Sequence, residues 1–264
     1  MRIPLFYADV FTSQPFHGNP AAVCFADSWL DDEALQKVAA ESNLSATAFI
    51  VARENHLDLR WFTPTREIRL CGHATLATAH LLLTELHPEL DAVRFATRFS
   101  GLLTARKHGH LVAMDFPAFV PQPCTSIPDE VPRALDLEQP PSEVLEANDT
   151  FIAILDSPQM VQSIRPDFAR LEKLHPHAMI VTAPGNDSDF VSRYFAPGYG
   201  VPEDPVTGSA HCSLTPYWSK QLGKSHLHAR QLSERGGELW CDLAGERVIL
   251  KGDAVVTMRG TLTI

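Results

Sequence analysis

Two glycine turns hold the residues best suited to chemistry. The first reads Cys71-Gly72-His73-Ala74 and the second Thr207-Gly208-Ser209-Ala210, each followed by an Ala-rich apolar stretch. A helix N-terminus offers unpaired backbone N–H groups and a partial positive charge, and small residues there let a ligand approach closely. Two such mouths facing each other would hold a small acid by its carboxylate. They would also stabilise the enolate-like charge that forms when a proton leaves the neighbouring carbon. His73 adds a ring that ordinarily titrates near working pH, able to hydrogen-bond a substrate or relay a proton. This is proton-transfer chemistry, and it needs no cofactor. The chain has no P-loop, no GxGxxG after a strand and no HExxH. Either turn alone is weak evidence, because glycine ends many loops.

The turns belong to a longer passage that is written twice. Arg60-Trp61-Phe62-Thr63-Pro64 precedes the first turn, and Arg193-Tyr194-Phe195-Ala196-Pro197 precedes the second. The arginines lie 133 residues apart, whereas Cys71 and Thr207 lie 136 apart. A three-residue loop insertion in the second copy accounts for the difference. Each copy runs strand, loop, glycine turn, apolar helix, an order that favours duplication over chance.

Other elements must hold these mouths in place. Residues 31–41 read as a helix capped by Asp31 and ended by Asn43-Leu44-Ser45. Strands are expected at 6–11, 21–25, 48–51 and 57–62. Residues 73–86 predict a helix apolar on nearly every side, which a surrounding sheet or barrel would bury. Strands follow near 92–97, 101–106 and 110–116. A proline cluster over 117–148 marks the crossing between halves. The second half then predicts a strand at 151–155, a helix at 167–174 and strands near 178–183 and 189–196. A helix over 209–222 is kinked by Pro216 and closed by Gly223, and a β-meander ends the chain.

Composition narrows the partners. With 264 residues, 45% of them hydrophobic, the chain can bury a substantial core in one large or two ordinary domains. A net charge of −10 without a basic stripe argues against nucleic acid. No signal-peptide pattern opens the sequence, and no apolar run nears the roughly 20 residues that cross a bilayer. The five cysteines are odd in number and lack CxxC spacing, so neither a disulfide framework nor a metal site is expected. A cytoplasmic protein with reduced thiols fits best.

Several stretches, taken in order, resemble the PhzF family, named for a phenazine-biosynthesis isomerase and related in fold to diaminopimelate epimerase. They run from Asp9 to Ala21 (DVFTSQPFHGNPA), then Asn43-Leu44-Ser45, Arg60 to Thr65 (RWFTPT), Cys71 to Thr75 (CGHAT) and Tyr199 to Ala210 (YGVPEDPVTGSA), and end in the final meander. The resemblance implies an α+β fold of two pseudo-symmetric domains, each a curved or barrel-like sheet around a central helix. Residues 1–116 with about 254–264 would form one domain and 117–253 the other, with the active site between them. It also implies isomerisation or epimerisation without metal or organic cofactor, and a homodimer.

In PhzF-like isomerases a glutamate directly follows the Asn-Leu-Ser turn and acts as the base. Here that position is Ala46, which cannot carry a proton. Three explanations stand: the reaction was lost and binding kept, another group took over the role, or the chain is an engineered variant. His73 matches the family's histidine. Asp204 matches the acidic residue before the second turn, where it would hold a substrate hydroxyl or amine or serve as base. Asn19 and Ser45 would line the cleft, together with Cys71, Gly72, Ala74, Thr207, Gly208, Ser209 and Ala210. Cys71 stands where epimerase relatives keep the first of two catalytic cysteines. Thr207 occupies the second position, so a two-thiol mechanism is not available, and Cys71 reads as a packed residue. Glu41 and Glu203 are expected to face solvent. The primary expectation is a cofactor-independent isomerase acting on a small carboxylic acid; the alternative is a catalytically silent small-molecule binder of the same fold.

Overall fold

The computed structural model describes residues 1–137 and 139–264. The chain divides into two compact units, Met1–Asp115 with Lys251–Ile264, and Phe116–Leu250. Strands in the first half are β1 (Arg2–Val10), β2 (Asn19–Ala26), β3 (Ala46–Ala52), β4 (Leu57–Phe62), β5 (Glu67–Ile68), β6 (Ala92–Thr97), β7 (Leu102–His108) and β8 (Leu111–Pro117). Then come β9 (Gln122–Pro123), β10 (Glu143–Glu146), β11 (Thr150–Ile154), β12 (Ala178–Pro184), β13 (Phe190–Ala196), β14 (Val201–Asp204), β15 (His226–Gln231), β16 (Gly237–Ala244), β17 (Arg247–Gly252) and β18 (Ala254–Thr263). The α-helices are α1 (Asp32–Ser42), α2 (Gly72–His80), α3 (Glu130–Ala134), α4 (Pro158–Ser163), α5 (Phe168–Glu172) and α6 (Gly208–Leu222).

In the first unit β18 lies antiparallel on β1, β1 antiparallel on β2, β2 parallel to β3 and β3 antiparallel to β4. One edge of β4 carries β6 in parallel and the short β5 antiparallel; β7 and β8 continue the sheet. The second unit repeats this order. There β9 pairs antiparallel with β10, β10 with β11, β11 runs parallel to β12 and β12 antiparallel to β13. One edge of β13 carries β15 in parallel and β14 antiparallel, and β16 follows β15. The fold is thus α+β and pseudo-symmetric, as the duplicated passage implies.

Residue correspondence follows from register. Glu67 stands opposite Phe62 and Ile68 opposite Trp61; in the second unit Glu203 stands opposite Phe195 and Asp204 opposite Tyr194. Glu67 therefore corresponds to Glu203 and Ile68 to Asp204. Each arginine of the repeated passage forks onto its glutamate: Arg60 Nε and Nη2 lie 2.7 and 2.8 Å from Glu67, and Arg193 Nε and Nη2 lie 2.8 and 2.9 Å from Glu203. Bidentate pairing of this kind fixes geometry as well as charge. Glu203 is therefore an ion-pair residue and does not face solvent as its loop position suggested. The inserted residues fall between Phe195 and Glu203, where the 3-10 turn Pro197–Tyr199 sits.

Each unit wraps its sheet around one helix. Residues Ala74 to Ala79 of α2 are all buried, and α2 packs against β1, β2, β3, β7 and β18. Opposite faces are covered by α1 in the first unit, where Leu35, Val38 and Ala39 meet Cys24 and Phe49, and by α3, α4 and α5 in the second. Asp31 caps α1 by accepting from Ala34 N–H at 2.7 Å, and Asn43 ends it in the left-handed region.

Two expectations change. The helix predicted over 73–86 is α-helical only to His80; Leu81–Leu86 winds as a π-helix. There the Thr84 hydroxyl donates to the His80 carbonyl at 2.7 Å, and the wide turn closes with His87 N–H on the Leu82 carbonyl, five residues back, at 2.7 Å. The proline-rich 117–148 is no bare crossing, for it holds β9, α3 and β10, and Val131, Ala134 and Leu135 enter the core of the second unit. Its prolines sit where a missing N–H costs little, such as Pro132 in the first turn of α3. The helix expected over 209–222 is present as α6, with Pro216 inside it and Leu222 at its end. The Cys212 carbonyl, which Pro216 cannot satisfy, accepts from Phe119 N–H at 3.0 Å.

Candidate functional site

The first mouth is built where β2, β3 and α2 begin. Asn19 opens β2, Ser45 immediately precedes β3, and Cys71 is the N-cap of α2 with extended backbone. Ladder bonding in α2 starts with Thr75 N–H to Cys71 O, so Gly72, His73 and Ala74 supply the unladdered first-turn N–H groups. The Thr75 hydroxyl also donates to Cys71 O, at 2.6 Å, and the Cys71 side chain does not fold back as a cap.

Hydrogen-bond accounting fixes the state of His73. Ser45 Oγ lies 2.7 Å from Asn19 Oδ1, 2.7 Å from the Pro20 carbonyl and 3.1 Å from His73 Nε2. A serine has one proton, and the Pro20 carbonyl can only accept. With that proton engaged by oxygen, His73 Nε2 must donate to Ser45, whichever way the Asn19 amide is turned. Nε2 thus carries a hydrogen, as it does both in the Nε2–H tautomer and in the cation. Burial decides between them, pushing the His73 pKa down to about 4, so the ring is uncharged at neutral pH. Cys71 is buried, and its sulfur lies 3.5 Å from Nδ1 and 3.8 Å from Nε2 of that ring.

Ala46 opens β3 opposite Ala21 and is fully buried. Phe49 points into the α1 cluster, so alternation along β3 turns Ala46 to the other face, the one α2 packs against.

The second mouth is built on β14, β15 and α6. Thr207, the N-cap of α6, has extended backbone and its hydroxyl does not cap the helix. It donates instead to Asp204 Oδ2 at 2.6 Å. Gln231, at the end of β15, accepts from Thr207 N–H at 2.9 Å and donates from Nε2 to the Asp204 carbonyl at 2.7 Å. Beneath them His211 Nδ1 donates to Thr207 O at 2.8 Å, the counterpart of Thr75 on Cys71. His211 is fully buried, and burial pushes its pKa down to about 4 against the weaker opposing pull of that carbonyl. Gly208 and Ala210 are buried, while Ser209 is exposed at the mouth.

The structure thus joins Asn19, Ser45, Cys71 and His73 in one unit, and Asp204 and Thr207 in the other. Gln231 and His211 were not foreseen. Gln231 lies 24 residues beyond Thr207 on a different element, and no spacing pattern announces it. His211 had a readable signal, since one helical turn after an N-cap is where a side chain reaches back to the cap carbonyl. Cys212, read as core, is buried with its thiol pushed up to about 12. Among the described residues no three His, Cys, Asp or Glu side chains are grouped to hold a metal, and no helix is long and apolar enough to cross a membrane.

Two α+β halves, each a sheet around a helix with its N-terminus at a glycine turn, define a diaminopimelate epimerase-like fold. A hydroxyproline epimerase from Agrobacterium vitis shares it at a TM-score of 0.62, covering 99% of this chain and 92% of that one at 9% identity, a likeness of fold alone. Within that class the chain belongs to the phenazine biosynthesis-like (PhzC-PhzF) family, whose model matches residues 8–260. A PhzF family protein from Enterococcus faecalis superposes at a TM-score of 0.95 with 40% identity, each chain covered completely. An uncharacterized isomerase of Pseudomonas aeruginosa is 50% identical over 262 residues, 99% of both chains.

Proposed function

We propose that the chain is a cofactor-independent isomerase or epimerase that moves a proton on a small carboxylic acid. The first-turn N–H groups of Gly72, His73 and Ala74 would receive an anionic group at the first mouth, and those of Gly208, Ser209 and Ala210 would do so at the second. The observation that carries this reading is that neither N-cap side chain occupies its helix mouth, while each mouth keeps a hydrogen-bonded polar group, His73 and Asp204. Membership in a family with relatives named isomerases supports the reaction class. The same resemblance supports a homodimer, and five cysteines without CxxC spacing support a reducing, cytoplasmic setting.

The family's glutamate corresponds to Ala46, so the proton needs another acceptor. His73 turns Nε2 to Ser45 at 3.1 Å and Nδ1 to the Cys71 sulfur at 3.5 Å, so its ring suits hydrogen bonding better than abstraction. That leaves Asp204 as the acceptor in an active chain. The second reading, a silent binder, is favoured by one observation: the Ala46 methyl is fully buried and offers no titratable group.

Solvent-deuterium incorporation into a panel of α-hydrogen carboxylic acids separates the two. An active chain incorporates deuterium, and Asp204→Asn abolishes it. A silent binder incorporates none until Ala46→Glu restores the base. Binding and exchange absent from both chains would reject the small-acid reading for the acids tried.

A further inference from the structure

We propose that Gln231 is a positioning residue for Asp204, and that the Asp204–Gln231 pair is an addition made for function in the second half alone. The inference rests on the reading above only in taking Asp204 to act on the ligand. The amide orientation is fixed from both ends. Thr207 N–H can only donate and the Asp204 carbonyl can only accept, so Oε1 must face the first and Nε2 the second. Nε2 also lies 3.3 Å from Thr207 Oγ1, whose proton goes to Asp204 Oδ2 at 2.6 Å. Bonding therefore runs in one direction, from Gln231 through the Thr207 hydroxyl to the carboxylate. Gln231 is 1% exposed, so its amide has no water to exchange partners with. Ser233 adds a bond from its hydroxyl to Pro205 O at 2.7 Å, pinning the loop between the two ends.

The duplication supplies an internal control. Asp204 corresponds to Ile68, since both stand on the short strand opposite the aromatic after the arginine. Gln231 corresponds to Thr97, since Ser192 pairs with Gln231 where Leu59 pairs with Thr97. Thr97 serves only its own turn, accepting from Ser100 N–H and donating to Gly101 O, both at 2.9 Å. The first half builds the same strands and the same helix mouth without the carboxylate and without the amide. Other elements do appear in both halves, namely the forked arginine–glutamate pair and the side chain that reaches back to the N-cap carbonyl. Packing thus accounts for the shared parts, and the matched pair in one half only is what a reacting carboxylate held in one rotamer would require.

The test reads Asp204 directly in the whole chain. Gln231→Leu removes both amide contacts at similar volume. Gln231→Glu keeps the length and the acceptor for Thr207 N–H but sets a carboxylate oxygen against the Asp204 carbonyl. Three-bond scalar couplings should report one χ1 rotamer for Asp204 in the natural chain and averaging in both variants, with cooperative melting retained. The Thr207 amide should exchange with deuterated water about tenfold faster or more in Gln231→Leu. Thr97→Val should leave Asp204 unmoved. Where deuterium transfer is measurable, in the natural chain or in Ala46→Glu, Gln231→Leu should lower kcat with KM unchanged. An unaltered Asp204 rotamer in Gln231→Leu would overturn the inference; if that variant does not fold, an unaltered rotamer in Gln231→Glu does so. Absence of exchange in every chain, with Asp204 released by the variants, would reject the enzymatic reading and leave this one standing.

Discussion

His73 would ordinarily be a half-protonated group near neutrality, and its surroundings remove that option. Ser45 accepts its Nε2 proton and burial disfavours the cation, so the ring presents a fixed neutral tautomer. Nitrogen-15 spectra should show the Nε2–H form at pH 7 and a titration midpoint near 4. A midpoint near the unperturbed value of about 6.5 would contradict the burial argument and leave the Nε2–H bond to Ser45 untouched. Ser45→Ala removes the acceptor of that proton and the bonds to Asn19 and Pro20, with an expected loss of about 1–3 kcal/mol in urea unfolding. His73 was singled out in the sequence because a helix start is local chemistry, written in adjacent residues, whereas Asn19 and Ser45 were named from the family resemblance. Gln231 was not legible, because its role depends on a parallel strand brought beside β13 from across the chain. Glu203 was misread for a related reason: its partner Arg193 lies ten residues back, on the neighbouring strand.

At the scale of elements, the repeated arginine–glutamate forks are alike in geometry and unlike in environment. Arg193 is 8% exposed and also donates to the Val161 and Ile164 carbonyls, at 3.2 and 2.9 Å, tying β13 to α4. Glu203 is its only carboxylate among the described ion pairs. Arg60, by contrast, also meets Asp32 at 2.8 Å, while Glu67 is shared with Arg98 at 2.9 Å. Removing one partner of a buried pair strands the other charge. Glu203→Gln should therefore cost about 3 kcal/mol, and Glu67→Gln clearly less, since Asp32 still balances Arg60. Equal losses in denaturant titrations of the two variants would show that the second carboxylate is irrelevant. The strands and long helices were readable because hydrophobic period is a local signal that burial then enforces. The π-helical turn and the strands inside the proline-rich stretch were not. An apolar stretch buried on every side does not distinguish four-residue from five-residue bonding, and the pairing of β9 with β10 is encoded by no local pattern.

Across the whole molecule, each unit contains one histidine whose pKa desolvation lowers to about 4, the partly buried His73 in the first and the fully buried His211 in the second. Both are neutral when folded, and both bind a proton near pH 6.5 once unfolded, so the unfolded chain takes up more protons between those values. Stability from this source is fully present above about pH 6.5 and declines as pH falls toward 4, below which no more is lost. A shift of about 2.5 units corresponds to roughly 3 kcal/mol per ring. Near pH 5 the two together should give a slope of about two protons, close to 2.7 kcal/mol per pH unit. His80, lowered mainly by burial, adds in the same direction. Urea unfolding across pH 7.5 to 4.5 measures this slope, and carboxylates that titrate lower in the range affect every chain alike. His211→Gln and His73→Gln should each reduce it by about one proton relative to the natural chain, so that the curves converge toward acid pH. Curves that stay parallel between pH 6.5 and 4.5 would mean the rings are charged in the folded protein. The neutral ring at the first mouth would then fail along with the stability argument, while the Nε2–H bond to Ser45 would stand, because a His73 cation makes it too.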